Sequence, residues 1–128
     1  MRYIYLLSLL IVIYLFSSCK KNLGIEKFNI TFEVITSTSI SSKANVITKV
    51  GLAPPITYSE FISGTSWHKT VEAETAYRPI NLTMNAQNIF LTGSGTATCN
   101  IYVNGVIKNT STASSTNIGG VDQVTTIP

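Results

Sequence analysis

The sequence predicts an all-β domain, a small β-sandwich of about seven strands, behind an N-terminal signal peptide. Three observations carry that expectation. Segments that alternate apolar and polar residues recur between Phe28 and Ile127, the period at which a strand buries one face and wets the other. Clusters of Ser, Thr, Gly, Asn and Pro separate these segments and have turn chemistry. No stretch beyond the first 27 residues places apolar residues at helical spacing over three turns, and the β-branched residues that strands prefer are everywhere.

The first element is not part of the domain. Met1 and Arg2 give a short positive start, and Tyr3 to Phe16 is an apolar run interrupted only by Ser8. That run is about fourteen residues, whereas a helix needs roughly twenty to span a bilayer. Its length suits the apolar core of a secretory signal peptide followed by small residues. Here the small residues are Ser17 and Ser18, and Cys19 comes next. Leu15-Phe16-Ser17-Ser18-Cys19 resembles the lipobox of bacterial lipoproteins, with Phe16 a tolerated rather than a favoured residue. The resemblance implies a diacylglyceryl group on the Cys19 thiol, cleavage just before it, and a fatty acyl chain such as palmitate on the freed amine. Two or more buried chains, at about 0.8 kcal/mol per methylene, hold a protein stably on a membrane. The expected organisation is therefore a signal peptide over 1–18, a lipidated Cys and tether over 19–27, and a β-domain over 28–128. Lys20 rather than Asp follows Cys19, and no acidic run comes after it, so the expected address is the outer membrane, facing the periplasm.

Phe28 to Val34 alternates without a break and predicts the first strand. Thr36 to Ser42, with Ile40 its only apolar residue, reads as a turn or loop. Val46 to Leu52 predicts a second strand, which Pro54 and Pro55 end because neither can donate to a ladder. Ile56 to Ile62 is a third, closed by Ser63-Gly64-Thr65. Trp67, Lys69, Val71 and Ala73 share one face of a fourth, with His68, Thr70 and Glu72 on the other. Ile80, Leu82 and Met84 share a face of the next, Ile89 to Thr92 is short, and Gly93-Ser94-Gly95 is a turn. Ala97, Cys99, Ile101 and Val103 then point one way before Asn104-Gly105, the strongest short hairpin signal because both residues tolerate positive φ. A two-residue turn places Val103 opposite Val106 and Ile101 opposite Lys108. A bulged turn, the favoured reading, rotates Ile107 toward the buried face. Residues 111–118 are rich in Ser, Thr and Asn, and Val121 to Ile127 predicts an edge strand.

Composition excludes several kinds of chemistry. The chain carries nine basic and six acidic residues, +3 in all, and loss of Arg2 leaves eight against six. So small a balance does not point to nucleic acid. One His and two Cys provide no zinc ligand set, and no cofactor is implied. Glu72 and Glu74 lie on one side of a strand with Glu60 nearby in sequence, but adjacent acids on a wet strand face are usually charges that deter aggregation. His68 has no nucleophile motif around it, and nothing places Asp122, the one Asp, beside it. No enzymatic activity is expected. Trp67 has two readings: a core anchor sharing a face with Val71 and Ala73, which is favoured, or an exposed ring stacking with Tyr58 or Tyr77 on a sugar or lipid. In the first, Lys69 lies at an edge or rim. Cys99, odd once Cys19 is lipidated, is expected to be buried with Ala97 and Ile101.

Ile56-Thr57-Tyr58, Trp67-His68-Lys69-Thr70-Val71 and the hairpin from Gly93 to Ile107 follow an order that resembles the MmpS family of transport accessory proteins. The likeness spans residues 28–118 and is sharp over 56–112. It implies an immunoglobulin-like sandwich anchored by its amino end beside an RND-type exporter of the MmpL kind. Trp67, Tyr58 and Lys69 are the candidate partner or ligand contacts. The chain departs from that family in having Cys19 where the family has a membrane-spanning helix, and in lacking a second Cys near the carboxyl end to pair with Cys99. An alternative function is a surface or periplasmic binding module for glycan or lipid.

Overall fold

The computed structural model describes residues 26–51, 54–75 and 79–128, so the expected signal peptide and Cys19 lie outside the described residues. The domain is all-β. Four long strands, β1 (Glu26–Gly51), β2 (Ile56–Thr75), β3 (Ile80–Val103) and β4 (Val106–Ile127), form one antiparallel sheet in the order β2-β1-β3-β4.

This sheet is folded double, and chain connectivity requires it. At one end of the ladder Glu26 pairs with Thr75, and Val103 pairs with Val106. At the other end Val50 pairs with Ile56, and Ile80 pairs with Ile127. Thr75, at the first end, must reach Ile80, at the second, in five residue steps, at most about 18 Å. Laid flat, the 24 residues of β3 would separate the two ends by about 80 Å. The ends therefore meet, and each strand contributes one arm to each of two facing layers. One layer holds residues 26–36, 65–75, 96–103 and 106–114; the other holds 44–51, 56–62, 80–89 and 118–127. The apolar faces of the arms form a single core, in which Ile30, Phe32, Ile80, Leu82, Ile89 and Ile101 are fully buried. A lone sheet could not bury one face so completely.

The folding line crosses the sheet where the register shifts: between Ile35, Ile40 and Ala44 on β1, and between Phe90 and Gly95 on β3. Extra residues on one strand bend it and strengthen its twist. Side chains take over the backbone bonds that the shifts leave unmade. The Ser37 hydroxyl accepts from the Thr96 amide at 2.9 Å, and the Ser41 hydroxyl donates to the Phe90 carbonyl at 2.9 Å. Gly95 lets the two strands come this close, since a Cβ there would lie 2.6 Å from Ser37 Oγ and 2.9 Å from Leu91 Cδ1.

Two expectations are corrected here. The described residues form four strands rather than about seven, because Thr36–Ser42, Ser63-Gly64-Thr65, Gly93-Ser94-Gly95 and residues 111–118 bend strands instead of ending them. The segments between those signals nevertheless bury the faces that their alternation predicts: Phe28, Ile30, Phe32 and Val34; Ile80, Leu82 and Met84; Ala97, Cys99, Ile101 and Val103. The hairpin differs as well. Asn104 and Gly105 take φ of 51° and 78°, and Val103 pairs with Val106, so the turn has two residues. The register slips only afterwards, between Tyr102–Ile107 and Ile101–Asn109. Ile107 consequently faces outward, 50% exposed, instead of entering the core.

Folding the sheet gives the molecule two poles. One carries the start of β1, the end of β4 and the strand ends that flank the three connections, of which the Asn104-Gly105 turn is one. The other carries, among the described residues, the bends.

Candidate functional site

The doubled sheet brings together the three residues that the sequence singles out and adds a fourth. Tyr58 and Glu60 lie on the arm of β2 before its bend; Trp67 and Lys69 lie on the arm after it. Alternation turns all four toward the space between the layers, at the edge where β2 has no further neighbour among the described residues. Each is half-buried, and Tyr58 and Trp67 pack against the core. Glu60 is the centre of the group. One carboxylate oxygen accepts from the Lys69 ammonium, and the other accepts from Trp67 Nε1 at 3.3 Å. The same ammonium stands 4.3 Å from the centroid of the Tyr58 ring, within cation–π range. The Lys69 hydrogen bond, helped by Trp67, holds the Glu60 carboxyl below the usual carboxylate range, against the opposing effect of partial burial.

The cluster thus ties one layer to the other along the β2 edge. Both Glu60 oxygens accept bonds within the cluster, and its inward-pointing charges suit an edge strand that must not pair with a second chain. Trp67 is neither the fully buried anchor nor the open platform of the two sequence readings; it lies between them. Tyr77, the other ring weighed as its companion, lies outside the described residues, as does Cys19.

A second polar group occupies the outer face of the first layer. Glu33 on β1 accepts from Asn100 Nδ2 at 2.9 Å and from the Tyr102 hydroxyl at 2.8 Å, and Asn100 Oδ1 accepts from Thr110 at 2.7 Å. The bond to Glu33 raises the Tyr102 pKa, with burial adding to it. His68 lies opposite Glu33 on β2 and is exposed. Glu72 and Glu74 both pair with Lys27 across the strands, at 3.6 and 2.6 Å. They stand on the wet face, far along the strand from Glu60. Asp122 accepts from Asn85 on the opposite layer's outer face.

The β4 edge is closed differently. The Gln123 amide reaches from its own layer to donate to the Cys99 carbonyl in the other, and Asn109 Nδ2 donates back across to the Val124 carbonyl at 2.8 Å. Cys99 is a free, fully buried thiol beside Ala97 and Ile101, as the sequence predicts. Burial, with a smaller contribution from Asp122, pushes its pKa up to about 12.

Sequence reasoning missed Glu60 as the hub and Gln123 altogether. Glu60 could have been found by parity, since it shares a face with Tyr58 and Ile62, where a charge needs a partner. Gln123 lies two residues from Val121 on the same strand face, and a buried amide there requires an acceptor. Among the described residues no three His, Cys, Asp or Glu side chains gather as a metal ion would need. No protein-family model, curated protein or solved structure matches the chain.

Proposed function

We propose that this protein is a membrane-anchored lipoprotein, held by lipidated Cys19 on the periplasmic face of the outer membrane. It works through binding rather than catalysis, as an accessory or assembly factor of an export complex of the MmpS–MmpL kind. The observation that carries the reading is the nearness of Cys19, in its lipobox-like setting, to the first strand. Six residues separate it from Glu26, which lies at the pole where the strand ends gather. A domain tethered there leaves both outer sheet faces and the bend pole free for a partner. Within this proposal the two layers play the part of the two sheets of an immunoglobulin-like sandwich.

The engaged state of the carboxylates supports a non-enzymatic role. Glu33, Glu60, Glu72, Glu74 and Asp122 each have a hydrogen-bonding or ion-pair partner from the chain itself. The alternative of a glycan- or lipid-binding module would use Trp67, Tyr58 and Lys69 as a platform. Glu60 already takes the Lys69 and Trp67 donors, which favours a strut.

The test is recovery of partners from native membranes. Protein purified in mild detergent should carry the mass of a diacylated or triacylated chain beginning at Cys19, and should bring down an exporter subunit that Cys19→Ala loses. An unlipidated mass overturns the anchor. A lipidated protein that recovers no exporter component under any growth condition overturns the accessory role.

A further inference from the structure

The anchor pole carries an apolar tip, and its surroundings suggest what covers it. Val106 and Ile107 are 58% and 50% exposed, immediately after the turn, and Lys108 beside them is exposed too. Two adjacent exposed apolar side chains at a hairpin tip form a small apolar patch that the fold itself does not bury. The tip is also pinned. The Asn104 amide donates to the Asn29 carbonyl at 2.8 Å, and the Asn29 amide donates to Asn104 Oδ1 at 2.9 Å. The hairpin therefore keeps a fixed position beside the first strand, three residues from Glu26.

Cys19 precedes Glu26 by seven residues, which reach at most about 25 Å. Lys20 and Lys21 begin that tether, and each lysine near an anionic leaflet contributes about 1 kcal/mol of attraction. On the reading that Cys19 is lipidated, the bilayer is thus the one surface held permanently within reach of the tip.

We infer that the Val106-Ile107-Lys108 tip is a second contact with the membrane: the two apolar side chains enter the headgroup region, Lys108 meets anionic phosphates, and the domain stands upright on its anchor pole. The bends lie at the opposite pole. An arm of about ten residues spans roughly 33 Å, so Ile35, Phe61 and Phe90, the exposed apolar residues nearest the bends, are raised away from the lipid toward any partner.

The test uses full-length protein purified from membranes and reconstituted into vesicles of phosphatidylethanolamine and phosphatidylglycerol. Ile107→Cys and, separately, Phe61→Cys are labelled with an environment-sensitive fluorophore, and lipids carrying a nitroxide near the headgroup are added. Buried Cys99 stays unlabelled, and both positions are exposed, so circular dichroism need only verify an intact sheet. We expect quenching at 107 to exceed quenching at 61 by roughly threefold or more, since the two sites differ in height by most of an arm. Equal quenching at both positions, or none at 107, overturns the upright orientation.

Flotation of the wild-type protein with the vesicles, together with its thiol labelling, separates this failure from failure of the anchor. Protein that floats and resists labelling has a lipidated Cys19, and the quenching ratio then decides the orientation alone. Protein that stays at the bottom, or labels at Cys19, overturns the anchor and the orientation with it.

Discussion

The two edges of the doubled sheet close the same gap with opposite chemistry. Along β2 the layers are joined by an ion pair, an indole N–H and an aromatic face, all partly open to water. Along β4 they are joined by amides: Gln123, 3% exposed, donating to the Cys99 carbonyl, and Asn109 donating to that of Val124. A charged contact in water is weakened by screening and by the cost of ordering long side chains. A buried amide escapes the screening, although ordering its side chain costs as much, and its removal takes a hydrogen bond from a site that water does not reach. The comparison teaches that burial, more than charge, sets what each closure contributes. It also means that the two closures should fail under different conditions.

The largest effect is expected from the β4 side. Gln123→Ala removes a buried side chain together with its hydrogen bond to the Cys99 carbonyl. Loss of the hydrogen bond and the cavity left behind together should cost about 3 kcal/mol. Urea unfolding of the variant should show a lower midpoint at unchanged slope, and the deficit should be the same at low and high salt. A deficit that shrinks in high salt would break the distinction between the edges.

Alkali should act on the same side. The Cys99 thiol titrates at about 12 in the fold, against an ordinary value of 9.0. A group whose folded pKa is raised contributes stability that is complete below the unfolded pKa and is lost as pH rises toward the folded one. Between pH 9 and 11 the loss should be on the order of 2–3 kcal/mol, at about 1.4 kcal/mol per unit. Denaturation at a series of pH values in this window, compared between wild type and Cys99→Ala, isolates the effect: the variant should show the shallower decline.

Much of this contrast was invisible in the sequence for a definite reason. Parity alone assigned Phe28, Ile30, Phe32, Leu82, Met84, Cys99 and Ile101 to the core, because a strand's two faces differ in solvent contact wherever the strand lies. The bends were a different matter. Ser and Gly clusters satisfy backbone groups at a reversal and at a fold in a continuing strand equally well, so Ser63-Gly64 and Gly93-Ser94-Gly95 read as strand ends. Only the register with neighbouring strands separates the two cases. A reading that ends β2 at its bend puts Tyr58 and Trp67 on separate strands, and nothing local shows that Glu60 reaches both Trp67 and Lys69. Gln123 met its acceptor only through the same doubling.

The smallest effect is expected from the β2 side, and its sign with pH is the reverse. The Glu60 carboxyl lies below its ordinary range because Lys69 and Trp67 donate to the charged form. A depressed folded pKa gives stability that is present above the unfolded value and is lost as pH falls through the folded one. Acid should therefore loosen the β2 edge while leaving the Gln123 closure intact. With 38% of the Glu60 side chain open to water, solvent screening limits the contribution to less than about 1 kcal/mol. Glu60→Gln keeps an acceptor for Trp67 and removes the charge that faces Lys69, so it should abolish most of the salt dependence while lowering the midpoint only slightly. Trp67 fluorescence supplies a local readout that global unfolding does not. In wild type, acrylamide access to Trp67 should rise as pH falls below the ordinary carboxylate range. In Glu60→Gln it should start slightly higher and stay flat. A wild-type indole whose accessibility ignores acid would show that packing against the core, rather than the Glu60 carboxylate, holds the β2 edge closed.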